Sequence, residues 1–265
     1  NQRETSLLWD KSNGNTFGNA IGWQCTRTKS ICDSIIELGV SENVAEMTGL
    51  PIEPYFSATK ISWIIKNIPG VSESIKNGTL AFGTIDTWLV WKLSSGKYHI
   101  TDTTNASRTL LFDINKLHWS EELLEIFEIP KSILPTVVPS SGNLAVADRK
   151  YFKGNSIPIT SIIGDQQSSL FGQFCWNYGD LKATYGTGAF LLMNTGKKNI
   201  RSDKGLLSTI AWNINGEVEY AIEGSVFSAG SGITWLKDKI KLIKTSEQIN
   251  ILASETLDNG GVYFV

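Results

Sequence analysis

Histidine, methionine and cysteine are scarce in this 265-residue chain, at two, two and three copies. Each scarcity excludes something. Two histidines cannot build a histidine-rich metal site, and a Ser-His-Asp or Cys-His unit would have to draw on His99 or His118. Neither lies in a motif: His99, after Tyr98 on a predicted strand, reads as a surface residue, and His118 as a loop residue before Trp119. Cys25, Cys32 and Cys175 are odd in number and lack CxxC spacing, which fits neither a disulfide framework nor structural zinc and points to reduced thiols. The only methionines are Met47 and Met193, so no initiator Met is present, and the chain closes on the apolar run from Gly261 to Val265. Both ends therefore read as cut, and the sequence reads as an internal fragment whose targeting signals are not visible.

No apolar run approaches the roughly 18 residues of a membrane span. The net charge is −2 and the basic residues are scattered, which leaves no footprint for nucleic acid or an anionic membrane surface. A Walker A loop is missing too, because Gly96-Lys97 and Gly196-Lys197 are followed by Tyr98 and Lys198 rather than Ser or Thr.

What is present is the composition of a globular protein, 41% hydrophobic and 19% charged, with nine tryptophans. Most of those rings are expected to fill cores, and a few to wall a site for an apolar-faced polar ligand such as a polyol. Periodicity predicts strands over 5–10 and 19–25, a helix through Ile31, Ile35 and Ile36 stopped by Gly39, a short helix from Ser41, and another from Ser57 to about Asn67. A strand from Leu80 leads to a helix capped by Asp86, and Ser120 caps a further helix. The β-branched run from Ile157 to Ile163 reads as a core strand ending in Gly164-Asp165-Gln166-Gln167, then a helix. After Gly179 the texture turns to hairpins with Gly-bearing turns, including Asn215-Gly216, then two helices and a terminal strand. The expected domain limits are 1–174 and 175–265.

Four places can carry chemistry. Asp165, at the carboxyl end of its strand beside two amides, suits a base that accepts a hydroxyl proton; it suits equally the N-cap of the following helix. Arg3-Glu4 is either an idle exposed pair or, if buried, a set of donors and acceptors for vicinal hydroxyls. Tyr185-Gly186-Thr187-Gly188-Ala189 and Gly230-Ser231-Gly232 can let backbone N–H groups approach phosphate, or can be a plain hairpin turn and a close helix contact.

Taken in order, the blocks Asn1-Gln2-Arg3-Glu4-Thr5, Asn19-Ala20-Ile21-Gly22-Trp23-Gln24-Cys25, Pro54-Tyr55-Phe56-Ser57-Ala58-Thr59-Lys60 and Asp86-Thr87-Trp88-Leu89-Val90-Trp91-Lys92 resemble the glycerol kinases of the FGGY carbohydrate kinase family. The blocks Thr104-Asn105-Ala106-Ser107-Arg108-Thr109, Gly164-Asp165-Gln166-Gln167, Tyr185-Gly186-Thr187-Gly188 and Leu192-Met193-Asn194-Thr195-Gly196 continue it. The run from Tyr55 to Asn67, with Ser57, Lys60 and Trp63, resembles the first of the family's two signature patterns. The resemblance implies an α/β, actin/hexokinase-like (ribonuclease H-like) two-domain kinase fold with the second domain truncated. It implies ATP-dependent, Mg2+-assisted phosphorylation of glycerol to sn-glycerol 3-phosphate in glycerol catabolism, by a cytoplasmic homo-oligomer when full length. By analogy Arg3, Glu4, Tyr55, Asp165 and Gln166 would bind glycerol's hydroxyls, Trp23 and Phe190 would pack on its carbons, and Asp165 would be the base. Thr187, Gly230 and Thr234 would lie on the ATP or ADP side, Thr234 standing where relatives commonly carry Gln. The loop from Lys153 to Ser156 lacks the Gly-Gly-Thr-Arg sequence that binds fructose 1,6-bisphosphate in some bacterial members. The isolated fragment is expected to be inactive. A sister kinase for a longer polyol or ketopentose, or a non-catalytic polyol-binding relative, is the alternative.

Overall fold

The structure, a computed structural model, describes residues 1–263, which divide into two compact units. The first comprises Asn1–Lys182 and Leu192–Glu223, and the second Ala183–Leu191 and the chain from Gly224 onward. Of the terminal run read as a strand, Phe264 and Val265 lie outside the described residues, and the positions just before them form a turn and coil.

The first unit opens on β1 (Leu7–Asp10), which pairs antiparallel with β2 (Leu80–Gly83), Leu7 opposite Gly83. Segment 19–25 is not a strand. Only the bridge from Ser6 to Ile21 forms, because Gly18 (φ +84°) and Gly22 interrupt the extended chain on either side of it. Helices α1 (Lys29–Glu37), α2 (Ser41–Thr48), α3 (Ser57–Asn67) and α4 (Val71–Lys76) follow. α1 buries Cys32 and Ile35 and stops at Gly39, φ +76°. α2 ends in the left-handed Gly49, φ +74°, where a Cβ would stand 2.5 Å from the Ser208 carbonyl oxygen. α3 is buried on almost every side from Ser57 to Ile61, because its small residues let neighbours come close: the Ala58 N–H donates to the Thr109 carbonyl (2.9 Å) and the Ser62 hydroxyl to that of Phe127 (2.7 Å). Leu8, Leu50, Phe56, Ile61, Leu110 and Phe127 belong to the core around it.

α5 (Ile85–Leu93) begins one residue before the expected cap. Asp86 lies in its first turn instead, accepting from the hydroxyls of Thr84 (2.5 Å) and Thr101 (2.6 Å), and burial pushes its carboxyl up to about 6. Trp88 and Trp91 of α5 stack at 5.5 Å, with Trp9 edge-on at 5.1 Å from Trp88. His99 completes this cluster rather than lying on the surface: its ring meets Trp9 at 5.4 Å and its Nε2 lies 2.7 Å from the Phe82 carbonyl oxygen. Three of the nine tryptophans are thus structural.

β3 (Ile100–Asp102) leads into α6 (Thr103–Ala106), then the short antiparallel pair β4 (Phe112–Asp113) and β5 (His118–Trp119), so His118 sits on a strand. α7 (Glu121–Ile126) starts at Ser120, whose hydroxyl accepts the Leu123 N–H (3.3 Å). β6 (Thr136–Val138) runs parallel to β3, and β7 (Ser141–Ala147) pairs antiparallel with β8 (Ile157–Ser161). β8 is not the core strand that its β-branched residues suggest. It is one arm of a mostly exposed hairpin, and only the residues just after it, from Ile162, turn inward to α8 (Asp165–Gly172). β9 (Leu181–Tyr185), β10 (Ala189–Gly196), β11 (Leu207–Ile214) and β12 (Glu217–Val226) form a sheet in the order β11-β12-β10-β9. Asn215 (φ +54°) and Gly216 (φ +80°) make the primed turn between β11 and β12 that their sequence predicts. The second unit takes up the ends of β9, β10 and β12 and adds α9 (Gly230–Asp238) and α10 (Glu247–Ser254).

Two stability predictions follow from this packing. Gly49→Ala is expected to lower the unfolding free energy by more than Gly78→Ala, whose glycine is also left-handed (φ +70°) but has nothing within 4 Å of the added Cβ. The left-handed conformation alone costs about 1 kcal/mol, and the backbone clash at Gly49 adds about 1–3 kcal/mol, measurable by urea titration. Burial holds the His99 imidazole down at about 4, so the unfolded chain takes up its proton first as pH falls. The stability contributed by the neutral ring is complete above the ordinary histidine range and is lost as pH falls through it towards 4. His99→Gln should flatten the slope of stability against pH in that window; an unchanged slope would exclude His99 as its source.

Candidate active site

Arg3 and Glu4 are buried, each 2% exposed, so they are not an idle surface pair. The Arg3 guanidinium grips Glu223 with two bonds, Nη1 to Oε2 at 2.6 Å and Nη2 to Oε1 at 2.9 Å, and reaches Gln167 Oε1 at 3.3 Å. Its Nε stands 3.5 Å from Glu4 and 3.7 Å from Asp165. Arg108, wholly buried, joins the same group: Nε donates to Glu4 Oε1 (2.8 Å) and Nη2 to Glu223 Oε1 (3.0 Å). Two cations and two anions thus balance. Desolvation works against the charge on Arg3, but Glu223 and Glu4 outweigh it and hold the guanidinium well above its ordinary range. Arg108 Nη1 finds no hydrogen-bond acceptor among the described residues; the guanidinium lies over the rings of Phe56 (5.3 Å) and Tyr55 (5.9 Å), whose faces attract a cation.

Asp165 is the first residue of α8, and Gly164 is the cap. Its carboxylate accepts the Gln166 N–H (2.8 Å), and the side chain is 49% exposed, in contrast to Arg3 and Glu4. The helix start is held from outside: the Gly164 N–H donates to the Thr104 hydroxyl (2.9 Å) and the Asp165 N–H to the Asn1 carbonyl (2.7 Å). Thr104 in turn donates to the buried Asp102, which also receives the Asn105 amide and the Ser140 hydroxyl. Gly164 has no room for a side chain, since a Cβ would stand 2.7 Å from Gln167 Oε1 and 2.9 Å from Arg3 Cδ. Of the two amides, Gln167 is spent internally, donating to Thr209 and the Ile210 carbonyl, whereas Gln166 accepts from Lys182. Burial pulls the Lys182 ammonium down to about 8.

Trp23 and Tyr55 meet edge to face at 5.7 Å, so two of the aromatic candidates share one place. Burial, with Glu4 nearby, pushes the Tyr55 phenol up and keeps it a neutral donor. Arg3, Glu4, Trp23, Tyr55, Asp165 and Gln166 all belong to the first unit.

Phe190, Thr187, Gly230 and Thr234 belong to the second unit. There the loop 186–188 meets the start of α9: the Gly230 N–H donates to the Gly186 carbonyl (2.9 Å), and the Ala229 and Ser231 N–H groups both donate to that of Thr187 (2.8 and 3.1 Å). A Cβ on Gly230 would stand 2.5 Å from Gly186 O, and one on Gly188 2.7 Å from Val226 O and 3.2 Å from the Phe190 ring. The glycines at 188 and 230 are therefore required by close backbone packing, while the Thr187 side chain is exposed beside them. Thr234 turns its hydroxyl back to the Gly230 carbonyl (3.1 Å).

Sequence reasoning missed Glu223, Lys182 and the roles of Arg108 and Asp102. Arg108 lies in a quoted block, but nothing local distinguishes Glu223 in its alternating strand from an exposed glutamate such as Glu217.

Residues 1–172 match the FGGY family of carbohydrate kinases, N-terminal domain, and residues 181–265 match the C-terminal domain of the same family. Over all 265 residues the chain is 52% identical to glycerol kinase 2 of Thermotoga maritima and 54% identical to a glycerol kinase of Clostridium botulinum. It spans 53% of the length of each of these relatives. Among solved structures, Plasmodium falciparum glycerol kinase with ADP superposes with a TM-score of 0.89 at 41% identity, over 97% of this chain and 51% of that one. A xylulose kinase from Lactobacillus acidophilus gives 0.81 at 20% identity, over 96% of this chain and 51% of that one, a likeness of fold alone.

Glu223→Gln should remove one anion from between two buried guanidinium groups and lower the unfolding free energy by about 3–5 kcal/mol. Glu217→Gln, which breaks the exposed pair with Lys197, is expected to change nothing measurable. Equal denaturation midpoints for the two variants would refute this account of the buried group.

Proposed function

The chain belongs to the FGGY family of carbohydrate kinases, and from that premise we propose that a protein of the relatives' full length carrying this chain is a glycerol kinase, making sn-glycerol 3-phosphate from glycerol and ATP. One observation carries the choice within the family: identity above 50% along the whole chain to proteins named glycerol kinase, against 20% to a xylulose kinase. The meeting of Trp23 and Tyr55 beside the buried charges of Arg3 and Glu4 supports it, since a short polyol needs paired donors and acceptors on its hydroxyls and an apolar wall on its carbons.

In this reading Arg3, Glu4, Tyr55 and Gln166 orient the hydroxyls, and Trp23 and Phe190 cover the carbon face. Asp165 takes the proton from the attacking hydroxyl as its oxygen forms the new bond to phosphorus and the bridging P–O bond breaks, its electrons leaving with ADP. The half-exposed Asp165 suits the part, being the carboxylate of this group that an incoming hydroxyl can reach. Thr187, Gly230 and Thr234 would face the nucleotide, with the exposed Thr187 hydroxyl offered to a phosphate oxygen. Mg2+, when bound, neutralises charge on the transferred group. Among the described residues no cluster of three or more His, Cys, Asp or Glu can hold a metal. Such an ion would be held mainly by phosphates and water, and the exposed carboxylate of Asp165 could contribute to holding it. No helix among the described residues is long and apolar enough to cross a membrane. A cytoplasmic homo-oligomer is carried over from the family resemblance.

A coupled assay of the full-length protein across glycerol, erythritol and xylulose tests the substrate: glycerol should show the highest kcat/KM, and a preference for xylulose would overturn the proposal. Residues 1–265 alone, holding about half the relatives' length, are expected to phosphorylate nothing. Asp165→Asn should cut kcat by about 10²–10⁴-fold while calorimetry shows glycerol binding retained. Unchanged turnover would remove Asp165 from the base role.

A further inference from the structure

Glu4 holds a backbone conformation that non-glycine residues rarely adopt, φ +61°. Such conformations persist only where the surroundings over-determine them. Here the surroundings converge on one atom, the Glu4 carbonyl oxygen, which accepts from the hydroxyls of Ser6 (3.1 Å) and Ser57 (3.1 Å) and from the Lys60 ammonium (3.3 Å). All three donors are buried. Ser57 and Lys60 stand three residues apart on α3, the spacing that places two side chains on one helix face. Lys60 also donates to the Tyr55 carbonyl (2.5 Å), so a single ammonium ties the backbone of Glu4 to that of Tyr55.

A fully buried ammonium is costly unless its hydrogen bonds are worth the burial. The Lys60 ammonium donates to two main-chain oxygens, those of Glu4 and Tyr55. Burial draws its pKa down to about 8, against the partly offsetting negative charge of Glu4. This accounts for the part of the signature-like run that phosphoryl transfer leaves unexplained.

We propose that Ser57 and Lys60 are positioning residues for polyol binding: they pin the left-handed Glu4 by its carbonyl, and Lys60 fixes its spacing to Tyr55, so that both side chains meet the substrate in register. The inference rests on the reading of Glu4 and Tyr55 as glycerol-binding residues.

The test uses the full-length protein with Lys60→Met, Ser57→Ala, Ser57→Thr and Glu4→Gln, measuring KM for glycerol, KM for ATP, kcat and glycerol binding by calorimetry. Lys60→Met is expected to raise glycerol KM and Kd by about tenfold or more with KM for ATP unchanged, and Ser57→Ala by a few-fold, with Ser57→Thr restoring the wild-type values. In the Glu4→Gln background Lys60→Met should add much less than it does alone, because both act on one contact. A Lys60→Met or Ser57→Ala protein with normal glycerol KM, or one that loses affinity for both substrates alike, would overturn the proposal while leaving the function intact. Normal glycerol affinity in Glu4→Gln would instead overturn the reading of Glu4 on which it rests. Should Lys60→Met fail to fold, the Ser57→Ala and Ser57→Thr pair decides by the same criteria.

Discussion

The buried group of Arg3, Glu4, Arg108 and Glu223 is the constraint on which the rest of the first unit depends. Four charges are removed from water, and they are compensated chiefly by one another. The partners come from segments far apart in sequence, the opening residues, the turn after α6 and strand β12, so the chain must be folded around them before any of them is satisfied. Such a group contributes little net stability compared with an apolar core, yet it penalises every arrangement in which one member is missing. It therefore fixes geometry more than it adds free energy.

Around that group the fold uses close backbone approach. Gly164 lets Arg3 lie against the start of α8, and Gly49 lets α2 meet β11. The hydroxyls of Ser57, Thr104 and Ser140 then hold main-chain or carboxylate groups that the interior would otherwise leave unpaired. Asp102 is the counterpart of Lys60 in this scheme. One buried anion gathers N–H and O–H donors beneath Asp165, and one buried cation spans carbonyls beneath Glu4 and Tyr55. The half-exposed Asp165 carboxylate and the buried Glu4 consequently rest on main chain that is held in place by buried hydrogen bonds.

Much of this was legible in the residues. Periodicity located α1, α3 and α7, Asn215-Gly216 gave its turn, and ordered motif blocks gave the family, because helix spacing, turn chemistry and short functional motifs are local properties. The misreadings share a cause. Ile157 to Ser161 looks like a core strand because β-branched residues favour any strand, whereas whether a strand is covered depends on what packs over it. His99 reads as exposed because nothing nearby in sequence announces Trp9, and Asp86 reads as a cap because its buried partner Thr101 lies on a separate element, β3.

The sequence by itself determined the kinase family, through its ordered motif blocks, and the helices and turns whose signals are local, since those follow from residue types and their spacing. Only the tertiary structure decided that Arg3 and Glu4 are buried rather than idle, that Glu223 and Arg108 complete them, and that Lys60 serves two carbonyls. Within the charged group the hydrogen-bonded partners stand a hundred or more positions apart, and a charge becomes costly or useful only once water has been excluded from around it.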